Sequence, residues 1–226
     1  MKKIAVIVAG GSGNRMLLQT PKQFMIIHGK PLLFHTLNVF ARINDSVSIV
    51  LVLPEKHIEL WRQLCEEHKI TIAHTIVSGG PTRFHSVKSG LKECDKFPDD
   101  SVVAIHDGVR PFVSEEVIKN GFEIAARKGS AIPVVPIIET IREVSGSLSK
   151  TVPREKYCLV QTPQFFHLPQ IIDAYRIPYS ETFTDDAAVF ETSGRQVHLI
   201  DGNRENVKIT QPSDILMAET LFEILK

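Results

Sequence analysis

Two positively charged side chains follow a glycine-rich loop near the start of the chain. The apolar, β-branched run of residues 4–8 leads directly into AGGSG (residues 9–13), Arg15 lies just beyond, and Lys22 follows a proline. Backbone N–H groups in a glycine loop after a buried strand are suited to binding anions. Two cations at this spacing can close on the same anion from different sides. The pattern therefore predicts a polyphosphate site.

Spacing argues against two common phosphate loops. The dinucleotide fingerprint G-x-G-x-x-G can begin at Gly11, but its third glycine falls on Met16, and residues 30–32 contain no acidic residue for a ribose. The P-loop G-x-x-x-x-G-K-[ST], counted from Gly10, places Arg15 and Met16 where glycine and lysine are needed. A plain turn between strand and helix, with two solvated cations, remains an alternative for the loop taken alone.

Composition narrows the class of protein. The chain has 226 residues, 43% of them hydrophobic, which suits one α/β domain. Its 26 acidic and 26 basic residues balance, which argues against nucleic acid or an anionic membrane as the main partner. No apolar run has the length of a membrane span. The scattered Cys65, Cys94 and Cys158 indicate reduced thiols, so we expect a cytoplasmic protein.

The order of apolar segments indicates how these residues are positioned. Short apolar runs alternate with longer segments of helical period, which predicts an α/β fold with a mostly parallel sheet and helices on both faces. The predicted strands are residues 4–8, 24–27, 47–53, 70–77, 101–105, 131–137, 160–166, 197–200 and 205–210. The predicted helices are residues 31–41, 55–68, 82–94, 115–128, 168–175, a segment from Thr184, and 212–225.

One segment breaks this alternation. Residues 138–154 alternate apolar and polar side chains about a Ser145-Gly146 turn, which predicts a β-hairpin. Because an isolated two-stranded hairpin is only marginally stable, we expect it to pack on a second copy of the chain. The sequence thus predicts a β-arm at about 138–154 and a homodimer.

The motifs resemble those of a known enzyme family. G-G-x-G-x-R-M followed by P-K-Q is similar to the loop of sugar-nucleotide pyrophosphorylases and other nucleotidyltransferases. Further motifs resemble the 2-C-methyl-D-erythritol 4-phosphate cytidylyltransferase family: GGPTRFHSV (79–87), HDGVRP (106–111), TVPRE and QTPQFF (within 151–166), and NVKIT (206–210). They occur in the family's order along nearly the whole chain.

The resemblance implies a fold and a reaction. The fold would be a single Rossmann-like, three-layer nucleotidyltransferase domain over residues 1–226, with the β-arm serving dimerisation. The enzyme would transfer a cytidylyl group from CTP to 2-C-methyl-D-erythritol 4-phosphate. The products would be 4-diphosphocytidyl-2-C-methyl-D-erythritol and pyrophosphate, in non-mevalonate isoprenoid biosynthesis.

The resemblance also implies four groups of site residues. Those expected to contact the cytosine and ribose of CTP are Ala9, Gly10, Gly11, Gly80 and Ser86. Those expected to hold the triphosphate and stabilise the transition state are Arg15 and Lys22. Those expected to bind the hydroxyls of the acceptor are Asp107, Arg110, Thr140, Thr162 and Thr184. Those expected to hold the acceptor phosphate and aim its oxygen at the α-phosphorus are Arg154 and Lys208.

The family further implies partners and a cofactor. The arm of one subunit would supply Thr140 and Arg154 to the site of the other. Mg²⁺ is expected, held mainly by the triphosphate, and no protein side chain is assigned as its ligand. His106 is expected to be a packed side chain rather than a base, because a phosphate monoester is already ionised. Asp185 and Asp186 are expected to favour a helix N-terminus.

Two other functions remain open, and the sequence departs from the family in two places. Ribitol-5-phosphate cytidylyltransferase has a similar opening motif, although TVPRE and QTPQFF favour the methylerythritol enzyme. A non-catalytic module that senses CTP would not need Lys22, Arg154 and Lys208 together. Pro81 stands where the family often has an acidic residue, and HDGVRP replaces the common HDAARP.

Overall fold

The chain forms a mixed α/β fold, seen in a computed structural model that describes residues 1–10, 21–43 and 46–225. The strands are β1 (Lys3–Val8), β2 (Ile26–Ile27), β3 (Lys30–Pro31), β4 (Ser48–Leu53), β5 (Thr75–Ser78), β6 (Val102–Asp107), β7 (Ser130–Pro136), β8 (Ile141–Ser145), β9 (Leu148–Val152), β10 (Cys158–Val160), β11 (Gln164–His167) and β12 (Leu199–Asp201). The helices are α1 (Leu32–Ala41), α2 (Glu55–Glu67), α3 (Arg83–Glu93), α4 (Glu115–Lys128), α5 (Leu168–Ala174), α6 (Asp186–Thr192) and α7 (Pro212–Ile224).

The central sheet has eight strands in the order β10-β7-β11-β6-β1-β4-β5, with β12 added beside β7. The pairs β1–β4, β1–β6, β4–β5 and β7–β12 are parallel. Strand β11 runs antiparallel to both β6 and β7, and β10 runs antiparallel to β7. Only β10 and β11 therefore oppose the common direction, and the predicted mostly parallel sheet is confirmed.

Helices cover both faces of the sheet because successive side chains of a strand point to opposite sides. Ile4 and Val6 of β1 belong to a core formed with α3, α5 and α6. Ala5 and Ile7 belong to a second core formed with α1, α2 and α4. Both faces of β1 are fully buried, which explains its uninterrupted apolar sequence. The predicted three layers are present.

Polar side chains fix where the helices near the sheet edge begin. Thr82 accepts a hydrogen bond from the backbone N–H of His85 at the start of α3. Ser114 and Asp185 cap α4 and α6 in the same way. Each of these side chains satisfies a backbone donor that the first helical turn leaves without an intrahelical partner.

Four predicted strands differ in the structure, and one of them, predicted over residues 70–77, is a strand only over Thr75–Ser78. Residues 205–210 are not a strand; this segment is held by Ile209 N–H, which donates to the carbonyl of Val109 at 3.0 Å. The predicted strand 160–166 is split into β10 and β11, because Pro163 lies between them and has no N–H to donate. The predicted strand 24–27 begins instead with a 3₁₀ turn, Lys22–Phe24.

The predicted hairpin is confirmed as β8 and β9, which pair from Ile141↔Val152 to Ser145↔Leu148. Gly146 and Ser147 form its turn, one residue later than predicted, and Gly146 has a φ of +61° that suits glycine. Val144 and Leu148 are 70% and 75% exposed. The hairpin therefore presents apolar side chains to its surroundings.

The 3₁₀ turn Lys22–Phe24 packs on a fully buried tryptophan. The ring of Phe24 stacks on Trp61 of α2 with 6.0 Å between centroids. Trp61 Nε1 donates to Nε2 of His74 at 3.0 Å, and the carbonyl of Ile72 lies 2.7 Å from Nδ1 of the same ring. Because a carbonyl only accepts, His74 carries its proton on Nδ1. The turn that bears Lys22 is thus fixed against α2.

Among the described residues, no helix is long and apolar enough to cross a membrane. Cys65, Cys94 and Cys158 are free thiols. Burial raises the pKa of Cys65 to about 11 and that of Cys94 to about 12.

Candidate functional site

The site predicted from the motifs lies in a cleft at the carboxyl ends of β1 and β6. The chain passes from β1 to β4 and β5 on one side and then returns to β6 on the other. Such a switch in strand order leaves a crevice at the ends of the strands, where ligands bind in open α/β sheets. The cleft encloses about 680 Å³, part of it open to solvent, and its lining residues are Val8, Ala9, Gly10, Lys22, Gln23, Gly80, Pro81, Thr82, Arg83, Ser86, Asp107, Val109 and Lys208.

One wall of the cleft exposes backbone rather than large side chains. The hydroxyl of Ser86 lies 3.2 Å from the N–H and 3.3 Å from the carbonyl oxygen of Gly80. A Cβ atom at Gly80 would lie 2.4 Å from Cβ of His85, so this position requires glycine. Gln23 donates to the carbonyl of Ala9 at 3.0 Å and fixes the end of β1. Four of the residues predicted to contact the cytosine and ribose lie in the lining, namely Ala9, Gly10, Gly80 and Ser86, and their contact with CTP stays a prediction.

Asp107, the last residue of β6, is surrounded by three cations. Its carboxylate lies 2.8 Å from Nζ of Lys208, 3.4 Å from Nε of Arg83 and 3.5 Å from Nε of Arg110. Burial acts to raise the pKa of Asp107, but Arg83, Lys208 and Arg110 outweigh it and hold the pKa well below its usual range. Asp107 is therefore ionised at every physiological pH. Lys208 pairs with Asp107, whereas Pro81, at the position where the family often has an acidic residue, offers Lys208 no charge.

A chain of hydrogen bonds behind Asp107 fixes the loop that carries it. His106 is fully buried, and its Nε2 lies 2.9 Å from the carbonyl of Arg110. Since a carbonyl only accepts, Nε2 carries the proton and Nδ1 accepts from the hydroxyl of Thr162 at 3.0 Å. The same hydroxyl accepts from the N–H of Asp107 at 3.1 Å. Burial lowers the pKa of His106 to about 4.

These hydrogen bonds show how three residues discussed from the sequence are oriented, namely His106, Thr162 and Arg110. His106 is packed, as expected, and has no access to the cleft. The hydroxyl of Thr162 makes two internal hydrogen bonds, so it supports Asp107 from beneath the site. A contact between Thr162 and the acceptor stays a prediction. Arg110 also turns inward, donating from Nη1 to the carbonyl of Asn206 at 2.7 Å.

Arg83, which received no role from its motif, is the main residue missed by the sequence analysis. It is the first residue of α3 and donates from Nη1 and Nη2 to the carboxylate of Asp186, at 2.9 and 2.7 Å. Asp186 is fully buried and also accepts from the hydroxyl of Tyr175 at 2.5 Å. The expected favourable helix N-terminus is present at α6, but Asp186 mainly balances Arg83. An arginine in the first turn of a helix, where a cation is disfavoured, was the available signal.

Thr184, Thr140 and Arg154 lie outside the lining of the cleft that the described residues form. Thr184 is exposed one residue before the cap of α6. Thr140 precedes β8 and Arg154 follows β9, so both lie at the base of the hairpin, and both are exposed. The guanidinium of Arg154 contacts the carbonyl of Ile138. Gly11 and Arg15 lie outside the described residues. The structure thus brings together Ala9, Gly10, Lys22, Gly80, Ser86, Asp107 and Lys208.

The described residues provide few ligands for a metal. Over residues 1–10, 21–43 and 46–225, no group of three or more His, Cys, Asp or Glu side chains is placed to hold a metal ion. Asp107 is the one carboxylate in the lining formed by these residues, and three cations already surround it. Such a donor set fits a divalent cation held mainly by the phosphate oxygens of a ligand and by water.

Similarity to known proteins agrees with this geometry. The family model described as 2-C-methyl-D-erythritol 4-phosphate cytidylyltransferase matches residues 3–224. Proteins of that name from Bacteroides fragilis and Bacteroides thetaiotaomicron are 49% and 47% identical over 222 residues, which is 98% of this chain and 100% of each relative.

Solved structures give the same result. The crystal structure of 4-diphosphocytidyl-2C-methyl-D-erythritol synthase from Anaerococcus prevotii superposes with a TM-score of 0.83 at 28% identity, covering 98% of this chain and 96% of that one. The 2-C-methyl-D-erythritol 4-phosphate cytidylyltransferase of Thermus thermophilus gives 0.79 at 30% identity, over 99% and 100%. With the match along nearly its whole length, the chain belongs to the 2-C-methyl-D-erythritol 4-phosphate cytidylyltransferase family.

Proposed function

We propose that the cleft binds CTP along its glycine-lined wall and the acceptor beside Asp107. The chain is a nucleotidyltransferase that transfers a cytidylyl group from CTP to 2-C-methyl-D-erythritol 4-phosphate, giving 4-diphosphocytidyl-2-C-methyl-D-erythritol and pyrophosphate in non-mevalonate isoprenoid biosynthesis. The observation that carries the proposal is the convergence of Lys22, Lys208 and Asp107 in one cleft next to the glycine loop.

The proposed chemistry is direct, in-line attack of an acceptor phosphate oxygen on the α-phosphorus of CTP. Negative charge grows on the oxygens of that phosphorus and on the departing pyrophosphate. Lys22, together with Arg15, is proposed to stabilise this charge more strongly in the transition state than in the ground state. The attacking phosphate is already ionised, so no general base is required, in keeping with the complete burial of His106.

Lys208 is proposed to hold the acceptor phosphate. Its side chain is 41% exposed and ends 2.8 Å from Asp107. The carboxylate fixes the direction of the ammonium group, which keeps two further N–H donors for a phosphate. Holding the nucleophile close to the phosphorus in this way lowers the barrier by positioning.

The arm is proposed to complete the site across a homodimer. Val144 and Leu148 are exposed apolar side chains on opposite faces of the hairpin, and a two-stranded hairpin needs packing partners to be stable. Arg154 and Thr140 are not in the lining of their own cleft. We propose that they reach the cleft of a second copy, where Arg154 would add a planar, bidentate contact to the acceptor phosphate. Thr184 is proposed to contact the acceptor hydroxyls from the start of α6.

Mg²⁺ is proposed as the cofactor. It would neutralise charge on the triphosphate and favour departure of pyrophosphate, with the phosphate oxygens as its main ligands. Residues 1–226 are proposed to act as one domain with its arm, in the cytoplasm.

Two rival functions are separated by one assay. Pyrophosphate release is measured with CTP and Mg²⁺, offering 2-C-methyl-D-erythritol 4-phosphate and ribitol 5-phosphate separately. Turnover with the first acceptor is expected, since TVPRE and QTPQFF favour it. Preference for ribitol 5-phosphate would transfer the assignment to that cytidylyltransferase, and CTP binding without turnover on either acceptor would favour a CTP-sensing module.

The role of Arg154 has a matched control on the same arm. Arg154→Ala should abolish turnover while the dissociation constant for CTP stays within about threefold, because its target is the acceptor phosphate. Lys150→Ala removes another exposed arm cation, one paired with Glu143 at 2.7 Å, and should leave turnover unchanged. A large loss of CTP affinity in Arg154→Ala would refute the assignment to the acceptor.

A further inference from the structure

The guanidinium of Arg83 connects three elements of the cleft through two carboxylates. Its two terminal nitrogens donate to Asp186 at the start of α6, and its Nε donates to Asp107 at the end of β6, 3.4 Å away. Arg83 itself begins α3. A single side chain therefore joins the beginnings of two helices to the carboxylate that faces the acceptor.

Several features show that this arrangement is specific. A cation in the first turn of a helix is disfavoured by the helix dipole, and α3 has no acidic residue there to offset it. Asp186 compensates from a fully buried position, where the hydroxyl of Tyr175 gives it a third hydrogen bond. A lysine could not reproduce the contact, because one ammonium group lacks the planar fork that serves both carboxylates.

The ion pair with Asp186 fixes the orientation of Arg83 without using its Nε. With both terminal nitrogens held by a buried carboxylate, the guanidinium plane cannot rotate freely, and Nε is aimed at Asp107. Lys208 reaches the other oxygen of the same carboxylate. One oxygen of the carboxylate thus faces Arg83, and the other faces Lys208 and Arg110.

We propose that Arg83 is a positioning residue for the acceptor: clamped by Asp186, it holds Asp107 in the orientation that binds the acceptor and aligns Lys208. The proposal rests on the function assigned above to the cleft. A purely structural ion pair is the competing explanation, because it would also bury Asp186 against Arg83. The two explanations predict different kinetics for a protein in which both members of the pair are neutralised together.

The experiment compares Arg83→Met with the double variant Arg83→Met/Asp186→Asn. The single change leaves a buried, uncompensated carboxylate, so it is expected to lower the unfolding midpoint strongly. The double change removes both charges and keeps an acceptor for Tyr175, so most of the stability should return. Steady-state kinetics on the double variant then report positioning separately from folding.

We expect the double variant to lose about tenfold or more in kcat/KM for the acceptor, with KM for CTP within about threefold. In a protein that already carries Asp107→Asn, the same two changes should lower kcat/KM for the acceptor by less than about twofold, because Arg83 acts through Asp107. Wild-type acceptor kinetics in the double variant would establish a purely structural pair. A full, additive loss in the Asp107→Asn background would show that Arg83 acts independently of Asp107.

A second readout does not depend on turnover or on the double variant. The carboxyl ¹³C chemical shift of Asp107 is compared at pH 7 in the unsubstituted protein and in Arg83→Lys. It should change in Arg83→Lys, because one ammonium group cannot serve both carboxylates and the contact from Nε to Asp107 is lost. An unchanged chemical shift would overturn the proposal, whereas absence of turnover in the unsubstituted protein would count only against the proposed function.

Discussion

His106 should contribute a defined part of the dependence of the protein's stability on pH. The ring is buried, donates to the carbonyl of Arg110 and accepts from Thr162. Protonation of Nδ1 would remove its ability to accept and place a charge in the core. The folded state therefore resists protonation, and burial lowers the pKa of His106 from 6.5 to about 4. The unfolded chain takes up the proton near pH 6.5.

The size of the effect is given by linkage. Between these two pKa values the unfolded state binds more protons, so stability is complete above about pH 6.5 and is lost as the pH falls towards 4. A shift from 6.5 to about 4 corresponds to a loss of about 2 kcal/mol between pH 7 and pH 5, and about 3 kcal/mol by pH 4.

The assay compares the unsubstituted protein with His106→Gln by urea unfolding at pH 7, 6, 5 and 4. Glutamine keeps a donor for the carbonyl of Arg110 but does not titrate, while the carboxylates titrate in both proteins and largely cancel. His106→Gln should be less stable at pH 7, and the gap between the two proteins should narrow by about 2 kcal/mol at pH 5. A gap that stays constant with pH would refute the neutral, buried imidazole.

Three further outcomes are expected from other parts of the fold. Lys208→Met should lower kcat/KM for the acceptor by roughly a hundredfold, with little change in CTP affinity measured by calorimetry; equal losses for both substrates would contradict its assignment. Gly121→Ala should cost about 1–3 kcal/mol in urea unfolding, because its Cβ would lie 2.2 Å from the buried ring of Phe165, and unchanged stability would show that the ring can move. Val144→Glu combined with Leu148→Glu should yield a monomer by light scattering that lacks turnover, and an active monomer would rule out a shared site.

Much of the fold could be predicted because its signals are local. The β-branched runs of β1 and β4 indicate strands buried on both faces, and the Thr82 and Ser114 caps mark where α3 and α4 begin. The segment after Asn203 could not be placed in this way. Its alternating pattern resembles a strand, but its backbone bonds to Val109 and the side chain of Asn206 donates to the carbonyl of Thr162, between β10 and β11. No local pattern records those contacts.

In the site too, residues within local motifs could be predicted, whereas contacts between distant parts of the sequence could not. Positions such as Gly80, Asp107 and Lys208 belong to motifs, and the structure brings them together in one cleft. The link from Arg83 to Asp186 spans more than a hundred residues of sequence, so spacing alone could not reveal it. The buried role of the Thr162 hydroxyl was also hidden, because a motif gives the residue type and not the direction of its side chain.

The stacking of Phe24 on Trp61 has an optical consequence. Trp61 is the single tryptophan of the chain, and the turn that ends at Phe24 begins with Lys22 in the lining of the cleft. The fluorescence of tryptophan in the unlabelled protein therefore comes from one indole, which contacts the turn that bears Lys22. Any displacement of that turn when a triphosphate binds alters the surroundings of the indole, so emission provides a direct titration signal for CTP without a dye or a coupled reaction.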